Sequence, residues 1–206
     1  MTRHQHWEKI YQSKAASEVS WFQESAALSL TLIRRVGPDP RAPIIDVGGG
    51  ASTLVDGLLD AGHQQITVLD IAGSALAVAR QRLGERAAQV TWIESDVLTA
   101  LLPAARYALW HDRAVFHFLT DAADRAQYVA KVRHAVQTGG HVIVASFAPD
   151  GPLRCSGLEV MRYSPETMLA QFGEGFELLD SVREDHRTPS GATQAFVYCL
   201  FRLSSD

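Results

Sequence analysis

Residues 43–55 of the chain read PIIDVGGGASTLV. The first five are apolar except for Asp46, and two of them are β-branched isoleucines, as is typical of a buried strand; three glycines follow at once. Beyond the glycines, apolar residues recur at helical spacing, at Leu54, Val55, Leu58 and Leu59. The stretch therefore predicts a strand, a tight turn and a helix, which is the unit that begins an open α/β sheet.

The same alternation continues towards the C-terminus. Apolar runs predict strands at residues 65–70, 90–94, 107–111 and 141–147, and helical patterns separate them at 74–83 and about 122–137. After a helix that Ser164 and Pro165 open, residues 176–184 and 194–203 read as two antiparallel strands joined by an exposed turn. We expect an α/β fold with a seven-stranded mixed sheet, parallel except for this C-terminal hairpin, and with helices on both faces.

On the N-terminal side, a helical pattern over residues 22–36 ends at the Gly-Pro-Asp-Pro loop 37–40. We expect one domain over residues 1–206, with residues 1–40 as an N-terminal helical flap and 41–206 as the core. Trp7, Tyr11 and Trp21 are expected to cover the ligand edge of the sheet, Trp7 and Tyr11 towards a substrate and Trp21 towards a cofactor. An alternative is that Trp21 only staples the next helix.

Composition excludes several classes of protein. The 206 residues are 47% hydrophobic and 20% charged with a net charge of −4, which favours a globular protein and gives no basic stripe for nucleic acid. Two cysteines form no spaced metal set, and no apolar run has the length of a signal peptide or a membrane span. We expect a cytoplasmic monomer or weak dimer that binds neither membrane nor nucleic acid and holds no metal.

The glycine turn differs from a dinucleotide-binding turn. In G-x-G-x-x-G counted from Gly48, the sixth position is Thr53, so the last glycine is missing. Asp46 lies two residues before the first glycine, where a carboxylate would repel a pyrophosphate but could hold an amine. Glycines alone are also compatible with a connection that binds no ligand.

Acidic residues stand at the ends of three successive predicted strands. Asp46 ends the first, Asp70 the second, 20 residues beyond Gly50, and Asp96 follows the third. Ligands of open α/β sheets bind at this edge, and a carboxylate at the position of Asp70 often holds ribose hydroxyls. Taken singly, Asp70 and Asp96 also fit a helix N-cap.

In this series the sequence resembles the Rossmann-like, seven-strand S-adenosylmethionine-dependent methyltransferases. The resemblance rests on residues 46–52, 68–76 and 95–97 and covers roughly residues 40–203. It implies that the cofactor is S-adenosylmethionine and that residues at the three strand ends bind it. Asp46, Gly48, Gly49 and Gly50 would surround its methionine part, Asp70 with Ile71 its ribose, and Asp96 with Val97 its adenine.

Two further stretches indicate the methyl acceptor. Residues 7–11 (WEKIY) and 18–25 (EVSWFQES) look like the N-terminal segment of small protein-lysine methyltransferases that modify translation elongation factors. Residues 112–116 (DRAVF) stand where that group has Asp-Lys-Gly-Thr, and they are also similar to the Asp-Arg-Ala of thiopurine-type small-molecule methyltransferases. The resemblance thus implies either a protein lysine or a small molecule.

Candidate catalytic residues follow the fourth strand. A protonated acceptor needs a base, so we expect Asp112 and His117 to face the acceptor and His111 to lie against the cofactor. Flanked by Phe116 and Phe118, His117 could instead be a buried packing residue. The rival interpretations of the chain are a nicotinamide-dependent reductase on a related fold and a cofactor-binding module without catalysis. Cys155 is expected to be an unreactive loop thiol and His186 to be solvated.

Overall fold

The computed structural model describes residues 1–204, so Ser205 and Asp206, the last two residues of the predicted domain, lie outside the described part. The helices are α1 (Arg3–Ser13), α2 (Ala27–Val36), α3 (Leu54–Asp60), α4 (Gly73–Leu83), α5 (Ala122–Ala135) and α6 (Pro165–Phe172). The strands are β1 (Ile44–Val47), β2 (Ile66–Asp70), β3 (Val90–Glu94), β4 (Tyr107–Arg113), β5 (Val136–Phe147), β6 (Arg154–Cys155), β7 (Leu158–Glu159), β8 (Phe176–Arg187) and β9 (Thr193–Leu203). Short 3₁₀ turns lie at Ala16–Glu18, Gly84–Gln89 and Phe116–Phe118.

Seven of the strands form one sheet in the order β3-β2-β1-β4-β5-β9-β8. The first five pair in parallel, and β9 runs antiparallel to both β5 and β8. Strands β2 and β3 are added to one side of β1, whereas β4 and β5 are added to the other side, so the strand order reverses between β1 and β4. In open α/β sheets the ligand crevice lies at such a point. The predicted seven-stranded mixed sheet is confirmed.

Two apolar layers enclose the sheet, as expected for strands that are buried on both faces. Helices α2, α3 and α4 cover one face with residues such as Leu32, Leu54 and Leu76. On the other face, α5 and α6 contribute Tyr128 and Phe172. None of the helices within residues 1–204 is both long and apolar enough to cross a membrane.

The N-terminal segment accounts for two differences from expectation. The helix predicted from residue 22 begins only at Ala27, because the segment before it is bonded to the core: Arg113 Nη1 donates to the Trp21 carbonyl, and Gln23 Nε2 donates to Glu184 Oε1. The expectation that His186 is solvated is wrong. Its ring lies 2.8 Å from the Ser20 carbonyl and is buried, because the N-terminal segment packs against the end of β8.

The segment after β5 is also more ordered than predicted. Residues 154–159, expected as a loop, form the short antiparallel pair β6–β7. Cys155 lies in it as a buried free thiol, and burial raises its pKa, so its expected low reactivity agrees with the structure.

Candidate functional site

A cavity of about 100 Å³, partly open to solvent, lies at the carboxyl ends of β1 to β4 beneath α1. Eight of the predicted site residues line it: Trp7, Tyr11, Trp21, Gly48, Asp70, Ile71, Asp96 and Val97. The structure thus brings together residues that the sequence separates by up to ninety positions. This is the main cavity.

A side recess adjoins it, and the two share Tyr11, Trp21, Gly48 and Arg113. Asp46, Gly49 and His111, three more of the predicted residues, line this recess together with Ser29 of α2. Gly50, Asp112 and His117 line neither space. Eight of the predicted site residues therefore line the larger, mostly apolar main cavity, three line only the smaller and less apolar side recess, and three lie elsewhere.

Each glycine of the turn is required by a different neighbour. At Gly48, φ is +68°, and a Cβ there would lie 2.0 Å from Val115 Cγ2. A Cβ on Gly49 would lie 2.3 Å from Asp46 Oδ2. A Cβ on Gly50 would meet Ala75 Cβ at 2.5 Å and Asp70 Oδ2 at 2.6 Å. The backbone of the turn therefore packs directly against two carboxylates, at positions where a side chain would collide with them.

Asp70 at the end of β2 is both buried and partly bonded. Its Oδ1 accepts from the Ala72 amide at 2.8 Å and its Oδ2 from the Gly50 amide at 3.0 Å. Burial outweighs these hydrogen bonds and raises its pKa to about 6. Because each carboxylate oxygen has a second lone pair, the group can still accept hydroxyl hydrogens from the cavity.

Asp96 bonds within the turn after β3 and also lines the main cavity. Its Oδ1 accepts from the Leu98 amide at 2.9 Å, which shapes the turn after β3. Its Oδ2 lies 3.5 Å from Arg3 Nη1 of α1, and the residue also lines the main cavity beside Val97. Asp96 therefore connects the rim of the cavity to the helix that covers it.

Asp46 and His111 form a buried pair in the side recess. They face each other across neighbouring strands, with His111 Nδ1 2.7 Å from Asp46 Oδ1. His111 Nε2 lies 2.9 Å from the Ser29 hydroxyl of α2. Asp46 Oδ2 is buried and has no hydrogen-bond partner among residues 1–204. Both ring nitrogens of His111 are thus engaged within the protein, while the residue itself lines the side recess.

Aromatic side chains from the N-terminal segment cover the main cavity. Trp7 of α1 packs edge-on against Trp21, with ring centroids 5.7 Å apart, and against Phe118 at 4.9 Å. Trp21 Nε1 donates to the Tyr11 hydroxyl at 3.3 Å, and burial raises the pKa of that phenol well above its usual value. These four residues, Trp7, Tyr11, Trp21 and Phe118, are called the aromatic lid. Trp21 is therefore more than a staple for α2.

Polar contacts anchor α1 to the sheet edge. Glu8 Oε1 accepts from the Ser74 amide in the first turn of α4 at 3.0 Å, and His4 Nε2 lies 3.6 Å from Glu94 Oε1. The ligand atoms of His4, Glu8 and Glu94 lie within 4.8 Å of one another. Because the helix contact of Glu8 and the ion pair of His4 already account for the grouping, we assign it no metal.

Asp112 lies elsewhere than expected. It is fully buried, its Oδ1 accepts from the Val115 amide at 2.9 Å, and its Oδ2 accepts from the Phe116 amide at 3.1 Å and the Tyr128 hydroxyl at 2.6 Å. These bonds hold the turn in which Ala114 has φ of +71°, a costly conformation for a residue with a side chain. Burial raises the pKa of Asp112 to about 6. Instead of facing an acceptor, Asp112 shapes the wall of the cavity from behind.

His117 is also removed from the cavity. The 3₁₀ turn at Phe116–Phe118 directs Phe118 to the cavity and His117 into the core, where its ring packs 4.7 Å from that of Phe147. Neither ring nitrogen has a hydrogen-bond partner among residues 1–204, and burial lowers the pKa of His117 to about 3. The packing alternative therefore describes its surroundings, and the expected acceptor-facing position does not.

Arg113 is a site residue that the sequence analysis did not select. Arg113 lines both the main cavity and the side recess, and its guanidinium donates to the Trp21 carbonyl at 2.9 Å and the Tyr198 hydroxyl at 2.8 Å. It also stacks 4.4 Å above the Phe196 ring and faces Glu184. Arg113 thereby holds the lid residue Trp21 against the hairpin β8–β9. Its place directly after Asp112 was the only local signal, because its partners lie far away in the sequence.

Comparison with known proteins agrees with this geometry. Residues 44–140 match the family model described as a methyltransferase domain. The eEF1A lysine and N-terminal methyltransferases of Mus musculus and Bos taurus are each 24% identical over 203 residues, 96% of this chain, and the chain spans 28% of their length.

Solved structures share the fold. A SAM-dependent methyltransferase from Anabaena variabilis superposes with a TM-score of 0.75 at 16% identity, covering 98% of this chain and 96% of that one. The 1,6-didemethyltoxoflavin-N1-methyltransferase of Burkholderia thailandensis, solved with S-adenosylhomocysteine, gives 0.69 at 21% identity over 98% of this chain and 84% of that one. These matches do not favour the reductase alternative. The matched residues 44–140 contain the glycine turn and all three strand-end acids, so the similarity to a methyltransferase domain includes residues that line the main cavity and the side recess.

Proposed function

We propose that the chain transfers the methyl group of S-adenosylmethionine to a nitrogen atom of an acceptor. The observation that carries the proposal is the pairing of the two spaces at the glycine turn. One is the mostly apolar main cavity with Asp70 and Asp96 on its wall, and the other is the side recess with Asp46 Oδ2, which has no hydrogen-bond partner in the described part of the chain. A nucleoside joined to an amino acid has two matching parts, a largely apolar base with ribose hydroxyls for the main cavity and a charged ammonium group for the side recess.

The residues present fit the cofactor part by part. Asp70 would accept from its ribose hydroxyls, Asp96 and Val97 would flank its adenine, and Asp46 Oδ2 would accept from its ammonium group. The aromatic lid offers ring faces to the positive sulfur. When bound, the cofactor supplies a methyl group already activated by that charge.

The chain itself therefore contributes alignment and exclusion of water. The aromatic lid covers part of the main cavity, and Arg113 holds the lid through the carbonyl of Trp21. Asp112 and His117 lie outside the main cavity, and the raised pKa of Tyr11 keeps its proton in place. An acceptor amine would then lose its proton to water before transfer, so the rate should rise with pH towards the pKa of that amine.

For the acceptor we put a protein amine first. The eEF1A methyltransferases are named for lysine and N-terminal methylation, and their similarity includes the N-terminal flap, since it extends over 96% of this chain. A heterocyclic nitrogen of a small molecule is the second candidate, because the toxoflavin N1-methyltransferase has the same fold. We also propose a cytoplasmic location, which the two buried, unpaired cysteines support.

Two measurements test this function. Calorimetry with S-adenosylhomocysteine should give saturable binding to the wild-type protein, whereas NADH should not bind. Incubation of the labelled cofactor with cell extract should then place label in a discrete protein band. Label only in the small-molecule fraction would favour the second candidate, and absence of S-adenosylhomocysteine binding would overturn the proposal.

A further inference from the structure

We propose that His111 is a positioning residue that fixes the Asp46 carboxylate for the ammonium group of the cofactor. The chain Ser29–His111–Asp46 would then link the N-terminal flap to the amino-acid end of the site. This inference rests on the proposed function and deepens it.

The first step is the geometry of the pair. Asp46 and His111 are register partners on β1 and β4, so their side chains leave the same face of the sheet. The 2.7 Å contact joins Nδ1 to Oδ1, and a carboxylate only accepts, so Nδ1 carries the proton. Both residues are 2% exposed, so water does not compete for this bond.

The second step concerns the other carboxylate oxygen. Asp46 Oδ2 is buried and unpartnered among residues 1–204, which is a costly arrangement unless a donor arrives. Asp46 and Gly49 both line the side recess, and a residue with a side chain is excluded at Gly49, since its Cβ would lie 2.3 Å from this oxygen. His111 therefore decides which oxygen stays free, and it turns that oxygen to the side recess.

The third step is the link to the flap. His111 Nε2 lies 2.9 Å from the Ser29 hydroxyl, and Ser29 is buried in α2, directly after the segment that carries Trp21. A hydroxyl both donates and accepts, so it satisfies Nε2 and leaves the Nδ1 proton for Asp46. Ser29 thus fixes the ring from the flap side while Asp46 fixes it from the sheet.

Two ligands distinguish positioning from a general structural role. S-adenosylhomocysteine carries the amino acid part, whereas 5′-methylthioadenosine has the adenosine and the sulfur without it. His111→Leu should weaken S-adenosylhomocysteine about 10-fold or more, the loss expected for one hydrogen bond to a charged group, and leave methylthioadenosine unchanged. His111→Asn, whose amide nitrogen can donate in place of Nδ1, should recover most of the affinity.

Ser29→Ala provides a second route if His111→Leu does not fold. It should weaken S-adenosylhomocysteine by about 3-fold, as expected for one neutral hydrogen bond, again without effect on methylthioadenosine. The inference is overturned if His111→Leu or Ser29→Ala binds both ligands as the wild type does, if both ligands weaken equally, or if His111→Asn is no better than His111→Leu. If the wild-type protein binds S-adenosylhomocysteine no more tightly than methylthioadenosine, the inference is refuted but the proposed function is not. If the wild-type protein binds neither ligand, the proposed function itself is refuted.

Discussion

Replacing His117 by leucine tests whether this residue is buried in the core as a neutral side chain. Its ring is fully buried between Phe118 and Phe147, and both nitrogens are unpartnered among residues 1–204. Leucine has a similar size and no polar atom, so at pH 7.5 the variant should be as stable as the wild type or more stable by about 1–3 kcal/mol. His117→Asn is the matched control, because it keeps a buried polar group that does not titrate.

The decisive quantity is the pH dependence of the free energy of unfolding. Burial lowers the pKa of His117 to about 3, whereas an unfolded histidine titrates near 6.5. Between these values the unfolded chain binds a proton that the folded chain does not, so the stability contributed above pH 6.5 is lost as the pH falls. From pH 7.5 to pH 5 the wild type should lose about 2 kcal/mol relative to either variant.

Urea unfolding at pH 7.5, 6 and 5 measures this difference. The raised pKa values of Asp70 and Asp112 act in the opposite direction, because their folded forms take up protons first, but all three proteins share them and the difference cancels them. A gap between wild type and variants that stays constant with pH would refute the buried, neutral assignment of His117. Affinity for S-adenosylhomocysteine should be unchanged in His117→Leu, since the ring does not line the cavity.

Three further predictions concern the turn and the two acids. Gly48→Ala should weaken the binding of S-adenosylhomocysteine at least about 10-fold, because the added Cβ would lie 2.0 Å from Val115 Cγ2. Gly62→Ala is the control: Gly62 also has a positive φ, but an added Cβ would meet nothing within 4 Å, so the variant should lose only about 1–3 kcal/mol of stability through backbone strain. Calorimetry on Asp70→Ala should show a loss of about 10- to 150-fold, and wild-type affinity should fall as the pH drops through about 6, where the carboxylate takes up its proton; unchanged affinity would remove Asp70 from the site. Asp112→Asn should lower the free energy of unfolding by about 1–3 kcal/mol, since an amide nitrogen would face a donor, while the pH profile of transfer stays as in the wild type; an altered profile would restore a role in proton transfer.

Local sequence patterns sufficed to predict the sheet and the meeting of the strand-end acids at one of its edges. The glycine turn and the strand-end acids Asp46, Asp70 and Asp96 each follow a recognisable apolar run, and the carboxyl ends of parallel strands meet at one edge. That these residues lie close together follows from the strand order alone and does not depend on any side-chain rotamer.

The acceptor side could not be predicted in this way. Whether His117 or Phe118 faces the cavity depends on the rotation of one 3₁₀ turn, and neighbouring aromatic residues give no periodicity from which to read it. Arg113 is separated by 71 residues from Glu184 and by 85 from Tyr198, so its role as the holder of Trp21 has no local signature. Likewise, Ser29 and His111 are 82 residues apart and meet only because α2 packs on β4.

The attachment of the flap has a consequence for the order in which the chain folds. Gln23 and Ser20 bond to residues 161 and 166 positions later, on β8. During synthesis the flap leaves the ribosome well before the strand that it needs, and contacts at such sequence separation form late because closing the intervening loop costs entropy. A nascent chain that stops before β8 would lack the bonds of Ser20 and Gln23, while α1 could already pack on α4 and Phe118. The segment that carries Trp21 would therefore reach its final position only with the last hairpin.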